Sequence, residues 1–190
     1  MEAQADDPRN KMQLRRKVLS LAPVFQILDM RGNSLLYCHQ KLFKLKADIR
    51  VYTDQTMQTE LLAIKARNII DFAAAYDVED AKNGEKVGAL RRKGLASIIR
   101  DEWHILDLQD NVVGMIREDG LFALRRMFKW LPQKYTITLG ADTVGTVKQS
   151  FNPFVFKAVM DLNADPGQKL DRRLALAAGI LLMAIEGRQK

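Results

Sequence analysis

The chain has 190 residues, of which 47% are hydrophobic and 28% charged, and its formal net charge is +7. The hydrophobic share excludes an intrinsically disordered chain, and the length suits one domain. The single cysteine, Cys38, excludes an intrachain disulfide, and the first twenty residues contain no apolar stretch of a secretory signal. We therefore expect a cytoplasmic protein, peripheral at the membrane if it meets one. Its positive charge favours an anionic partner.

In chain order, residues 1–14 are predicted to be an N-terminal tail, and residues 15–190 a single domain of paired β-strands. Five predicted hairpins turn at residues 29–33, 53–56, 83–84, 110–111 and 140–142, and the strand NPFVFKAVMDL follows them. Asn-Gly and Asp-Asn between alternating apolar runs are strong hairpin signals. Three returning strands begin with Val-Gly, which indicates an internal repeat of about 25–35 residues. We count about twelve strands in all.

The segment DGLFALRRMFKWLP, residues 119–132, interrupts the strand pattern and predicts a helix because it has no β-branched residue. Its cations Arg125, Arg126 and Lys129 lie among large apolar and aromatic side chains. Such a helix either lies in a membrane interface or covers one end of the apolar core and exposes its cations to water. The sequence leaves both interpretations open.

Residues 174–185, LALAAGILLMAI, form a segment that is apolar on every side. As a helix it reaches about 18 Å, which is too short for a hydrocarbon core of about 30 Å, so protein must enclose it. We therefore predict a helix over residues 171–186, capped by Asp171 and surrounded by the strands. The predicted fold is mainly β: a closed antiparallel barrel of about twelve strands around a hydrophobic C-terminal helix, with no exposed sheet edge.

The order of several short motifs resembles one known family. These motifs are Asp29 to Gly32, the connection 41–46, Asn83-Gly84 with Val87-Gly88 and Arg91-Arg92-Lys93, Trp103 with Asp107 and Val113-Gly114, and the terminal stretch 171–177. Over about residues 15–187 the chain is similar to LURP-one-related proteins of the tubby-like superfold, which also includes phospholipid scramblases. The resemblance implies a twelve-stranded barrel around a C-terminal helix. It also implies proximity to lipid, since tubby-type domains bind phosphoinositides, but fold alone does not define function.

The titratable residues do not form a pattern typical of an enzyme. His39 follows Cys38 directly, so in a strand their side chains point to opposite faces, and the only other histidine, His104, stands alone beside Trp103. No Gly-x-Ser-x-Gly, P-loop or dinucleotide-binding motif occurs. We therefore predict a protein that is not an enzyme and that uses no cofactor.

One acidic stretch begins like a calcium loop. Asp161, Asn163 and Asp165 have the right spacing, but Pro166 and Arg172 stand where the loop needs Gly and Glu. We therefore interpret this stretch as a turn before the helix and predict no metal site.

The basic residues are the candidate ligand-binding residues: Arg91, Lys93, Arg125, Arg126 and Lys129. In a strand, Arg91 and Lys93 share one face and Arg92 takes the other. Neighbouring cations could join them, namely Lys65, Arg67 and Arg100, and the basic run 15–17 adds to this surface unless it belongs to a frayed tail. An ordinary solvated face is the alternative to a binding surface.

We therefore predict a binding module for anionic phospholipid or phosphoinositide headgroups at a membrane surface. The alternative is a protein-interaction scaffold with no lipid ligand. Nucleic acid is disfavoured as a partner because no strand carries the aromatic pattern of an RNA-reading motif. The sequence does not define the oligomeric state.

Overall fold

The structure, a computed structural model, describes residues 7, 9–17, 24–40, 47–67, 75–93, 102–120, 133–150 and 155–186. Its strands are β1 (Lys11–Lys17), β2 (Val24–Leu28), β3 (Ser34–Gln40), β4 (Asp48–Tyr52), β5 (Glu60–Ala66), β6 (Ala75–Asp80), β7 (Lys86–Arg92), β8 (Glu102–Leu106), β9 (Val112–Glu118), β10 (Lys134–Leu139), β11 (Asp142–Ser150) and β12 (Val155–Asp161). One α-helix follows them, α1 (Arg172–Glu186).

The twelve strands form one closed antiparallel barrel. Each strand pairs with its neighbours in sequence, and β1 pairs with β12 to complete the ring. Closure gives every strand a partner on both sides, so the sheet has no free edge that could pair with another chain. The predicted barrel of about twelve strands is confirmed.

The helix α1 lies inside this barrel. It contacts β1 and β12 on one side and β6 and β7 on the other, and these strand pairs occupy opposite walls of the ring. Every residue from Leu174 to Ala184 is buried. Asp171 caps the helix: its carboxylate accepts a hydrogen bond from the Arg173 N–H at 2.8 Å, and its carbonyl accepts one from the Ala175 N–H at 2.9 Å. The predicted enclosed helix is confirmed.

The sequence repeat corresponds to a β-bulge at the same place in every hairpin. In each of the five returning strands, the pairing register shifts by one residue just after the turn. The extra residues are Leu35, Leu61, Val87, Val113 and Val144. A bulge increases the local twist, so a bulge repeated in each hairpin helps a sheet to curl into a barrel.

The glycine after the bulge is required where two strands approach closely. A Cβ at Gly114 would lie 2.3 Å from the Thr138 carbonyl oxygen, and one at Gly145 would lie 2.9 Å from the Asp161 carbonyl oxygen. Neither position has room for a side chain, which explains why the Val-Gly pair recurs in the sequence.

The first strand begins earlier than the sequence suggested. Lys11 to Leu14 belong to β1, although the predicted tail included them. Met12 and Leu14 are buried and face the helix side of the sheet, while their neighbours in the strand are polar or cationic. This strand contains only two apolar residues, so its sequence, considered alone, resembles that of a basic tail.

The two ends of the barrel differ in how they connect the strands. At one end, called here the turn end, the short turns 29–33, 53–59, 81–85, 107–111 and 140–141 join the hairpins, and α1 begins there. At the other end, called the connector end, the strands are joined by residues 18–23, 41–46, 68–74, 94–101, 121–132 and 151–154, which lie outside the described part of the chain.

Candidate anion-binding surface

Arg91 and Lys93 lie at the connector end of β7, on the outer side of the barrel. Arg91 stands opposite His104 on β8, and its Nη2 atom is 3.5 Å from His104 Nδ1. Arg92 stands opposite the buried Trp103, so it takes the inner face. The predicted alternation of this basic triplet therefore holds in the structure.

Glu102 on β8 partly neutralises the cations around Arg91. Its carboxylate accepts hydrogen bonds from Lys93 Nζ at 2.8 Å and from Arg117 Nε at 3.2 Å, and it lies 3.5 Å from His104 Nε2. The hydrogen bond from Lys93 and the charge of Arg117 hold the pKa of Glu102 below its usual value. Among the described residues, one acid therefore holds two cations in place beside Arg91, and the charge of this group stays positive.

Outward-facing cations continue from β7 around the barrel to β1. Each of these residues alternates along its strand with an inward-facing neighbour, so its side chain points to the outside. We call this set the basic arc: Arg91, Lys93, Arg117, Lys134, Lys148, Lys157 and Arg15. All of them occupy the half of their strand that is nearer the connector end, or follow its last residue. The arc thus covers seven adjacent strands, among which β8 contributes Glu102 and His104.

The remaining wall, from β2 to β6, has no such excess of charge among its described residues. Arg50 pairs with Glu60 at 2.6 Å, and Arg67 pairs with Asp77 at 2.6 Å. Two further ion pairs lie here, Lys65 with Glu79 and Arg67 with Asp110. Lys65 and Arg67, which the sequence offered as neighbours for Arg91, are therefore held by acids of their own.

Three of the predicted site residues, Arg125, Arg126 and Lys129, lie outside the described residues, as do Arg100 and most of the helix predicted over 119–132. Their position in the chain is still informative, because they belong to segments that join strands at the connector end. Those six segments contain seven cations and two acids, together with six of the eight phenylalanines and one of the two tryptophans. The five turns at the other end contain two cations, five acids and no aromatic residue.

The residues considered for catalysis or metal binding are buried or form ion pairs that stabilise the fold. Cys38 is fully buried, which raises the pKa of its thiol well above the usual value, and it points to the opposite face from His39. Asp161 pairs with Lys11 at 3.1 Å, whereas Asp165 is buried against Arg172 at 2.9 Å. Within the described ranges, no three His, Cys, Asp or Glu side chains come together as metal ligands.

A closed barrel of twelve antiparallel strands around an apolar C-terminal helix defines a tubby-like barrel protein. The family description LURP-one-related matches residues 10–183, and the chain belongs to that family. No curated protein matches the chain at a significant level. In the part of the chain that the structure describes, no helix has the length and apolarity to cross a bilayer.

Proposed function

We propose that this protein is a non-enzymatic module that binds anionic phospholipid headgroups at the cytoplasmic face of a membrane through the connector end of its barrel. The observation that carries the proposal is the basic arc, in which the outward cations of six strands, out of seven adjacent ones, lie toward one end. Lys and Arg residues near an anionic bilayer contribute about 1 kcal/mol each to binding. A curved surface with this many cations therefore supports reversible attachment.

The amino-acid composition of the connectors also supports the connector end of the barrel as the membrane-binding end. Aromatic residues mixed with cations are typical of segments that lie in the headgroup region, where the ring is partly buried and the charge stays near phosphate. Arg125, Arg126 and Lys129 occur in one such connector, and three lysines occur in the connection 41–46. The turns at the opposite end are acidic, and an anionic surface would repel them.

Sedimentation with vesicles of phosphatidylcholine and phosphatidylserine tests this proposal. We expect binding in low salt that weakens at physiological salt, because screening shortens the range of charge attraction from about 30 Å to about 8 Å. The change R125Q/R126Q/K129Q removes three cations and should weaken binding about a hundredfold. R91Q/K93Q should weaken it less, since Glu102 already holds Lys93.

The matched control removes three cations from the turn end: R31Q/K82Q/K169Q. These side chains are exposed and far from the basic arc, so we expect binding within a few-fold of the original protein. If the unaltered protein does not sediment with anionic vesicles in low salt, the proposal is wrong.

A second function, protein interaction, is favoured by apolar residues at the turn end. Met30, Met57 and Leu108 occupy three different turns and are 41%, 44% and 55% exposed. Large exposed apolar side chains are typical of a contact surface where they form one patch. A partner captured by the unaltered protein, and lost after M30S/M57S/L108S while vesicle binding persists, would support this function.

A further inference from the structure

Four outward cations of the basic arc stand against one another in the sheet register. Arg15 on β1 lies directly opposite Lys157 on β12, and Lys134 on β10 lies directly opposite Lys148 on β11. Lys148 pairs with Val159, two residues from Lys157, so these two lysines are diagonal neighbours. We call these four residues the basic staircase. Directly opposite residues are about 4.5–5.5 Å apart and diagonal ones about 7–8 Å, so each cation has a like charge within reach.

Among the described residues, three of the four staircase cations lack the acids that neutralise cations elsewhere on the barrel. Lys134 pairs with Asp119 at 3.1 Å, but no ion pair joins Arg15, Lys148 or Lys157 to an acid among the described residues. Arg15 reaches only the neutral Gln13, at 3.3 Å. Like charges directly opposite each other destabilise a sheet, and among the described residues only Asp119, beside Lys134, offsets part of this cost.

The other end of the same strand pair shows that this arrangement is not a general property of β1 and β12. There, Lys11 lies opposite Asp161 and forms an ion pair with it at 3.1 Å. The two strands thus carry complementary charges near the turn end and matching charges near the connector end. Directly opposed charges in a sheet are normally of opposite sign. A strand pair that follows this rule at one end and departs from it at the other is typical of a functional surface.

We infer that the basic staircase is the main headgroup-docking surface of this protein. The inference rests on the proposed function and specifies the wall of the barrel that meets the bilayer, namely β10, β11, β12 and β1. A headgroup phosphate that lies between two opposed cations attracts both of them, and this attraction outweighs the repulsion between the cations. At about 4.8 Å between neighbouring strands, the staircase spans about 14 Å, which suits a surface with several anionic groups better than one isolated phosphate. The barrel therefore meets the bilayer with the connector half of this wall, tilted toward its connector end.

The experiment compares the change R15Q/K148Q/K157Q with the control R31Q/K82Q/K169Q, using vesicles of phosphatidylcholine and phosphatidylserine in low salt. Both variants lose the same formal charge, and all six residues are partly or fully exposed, so neither change disturbs the core. We expect the staircase variant to bind about a hundredfold more weakly, which follows from about 1 kcal/mol per cation. Its melting temperature should stay equal or rise, because like-charge repulsion is removed. The control should bind within a few-fold of the original.

The outcomes separate this inference from the proposed function. If the original protein binds and both variants lose affinity equally, total charge decides binding and the staircase is not the docking surface. If the original protein binds and the staircase variant binds as well as the control, the docking surface lies elsewhere. If the original protein does not bind at all, the proposed function is wrong and the inference falls with it.

Discussion

At the scale of single residues, Asp165 organises the turn that leads into the helix. Its side chain is 2% exposed and accepts hydrogen bonds from the Lys169 N–H at 2.9 Å, the Leu170 N–H at 3.0 Å and Arg172 Nη1 at 2.9 Å. Burial alone would raise the pKa of Asp165, but these hydrogen bonds outweigh it and hold the pKa below its usual value. The carboxylate therefore stabilises the fold in its charged form.

We predict that Asp165→Asn lowers the free energy of unfolding at pH 7 by about 2–3 kcal/mol, because an amide group then faces donors. A group with a lowered pKa contributes its stability above its unfolded pKa and loses it as pH falls through the folded pKa. The difference between variant and original should therefore shrink below about pH 4. Urea unfolding at several pH values measures this. Asp142→Asn, at an exposed ion pair, is the control, and a difference that stays constant with pH would contradict the prediction.

The basic staircase shows which residue-scale features a sequence cannot reveal. Arg15 and Lys157 are 142 positions apart in the chain, and only the pairing of β1 with β12 makes them neighbours. Composition predicted an anionic partner, and alternation placed Arg91 and Lys93 on one face correctly. Which cations have acids beside them depends on register, and a shift of one residue turns every side chain to the other face.

At the scale of elements, this barrel repeats one feature, the β-bulge just after each hairpin turn. We predict that Gly114→Ala lowers the free energy of unfolding by about 1–3 kcal/mol, because the added methyl group meets the backbone oxygen of Thr138 and two strands must separate. Gly167→Ala is the matched control, since a Cβ there has no atom within 4 Å. It should change stability by less than about 0.5 kcal/mol. Thermal unfolding of both variants measures the difference, and equal effects would contradict this role of the bulge.

Turn chemistry explains why most elements could be predicted and β1 could not. Five hairpins have polar turns such as Asp107 to Asn111, in which the Asp107 carboxylate accepts hydrogen bonds from the backbone N–H groups of Gln109 and Asn111. Such turns depend on local sequence and are visible in it. In contrast, β1 has no hairpin turn before it, and its outer face is cationic. Its assignment needs its partner β12, which is at the other end of the chain.

At the scale of the whole molecule, the barrel separates a cationic surface near its connector end from an acidic and partly apolar surface at its turn end. The first and last strands close the ring, so the cations of both chain ends meet on one wall near the connector end. The acidic turns and exposed apolar residues lie at the other end. A protein attached through the basic staircase keeps its turn end in solvent, where a partner could bind at the same time. Both surfaces exist only if the ring stays closed around the helix.

This closure depends on the helix, and the final prediction tests it. Leu181 is 1% exposed inside the barrel, and Leu181→Asp would bury a charge with no partner, at a cost comparable to the net stability of a domain. We expect no cooperative thermal transition and an insoluble product. Leu108→Asp makes the same change at a residue that is 55% exposed in a turn, and it should melt within a few degrees of the original. A cooperative transition near the original temperature in Leu181→Asp would show that the helix is not the core of the barrel.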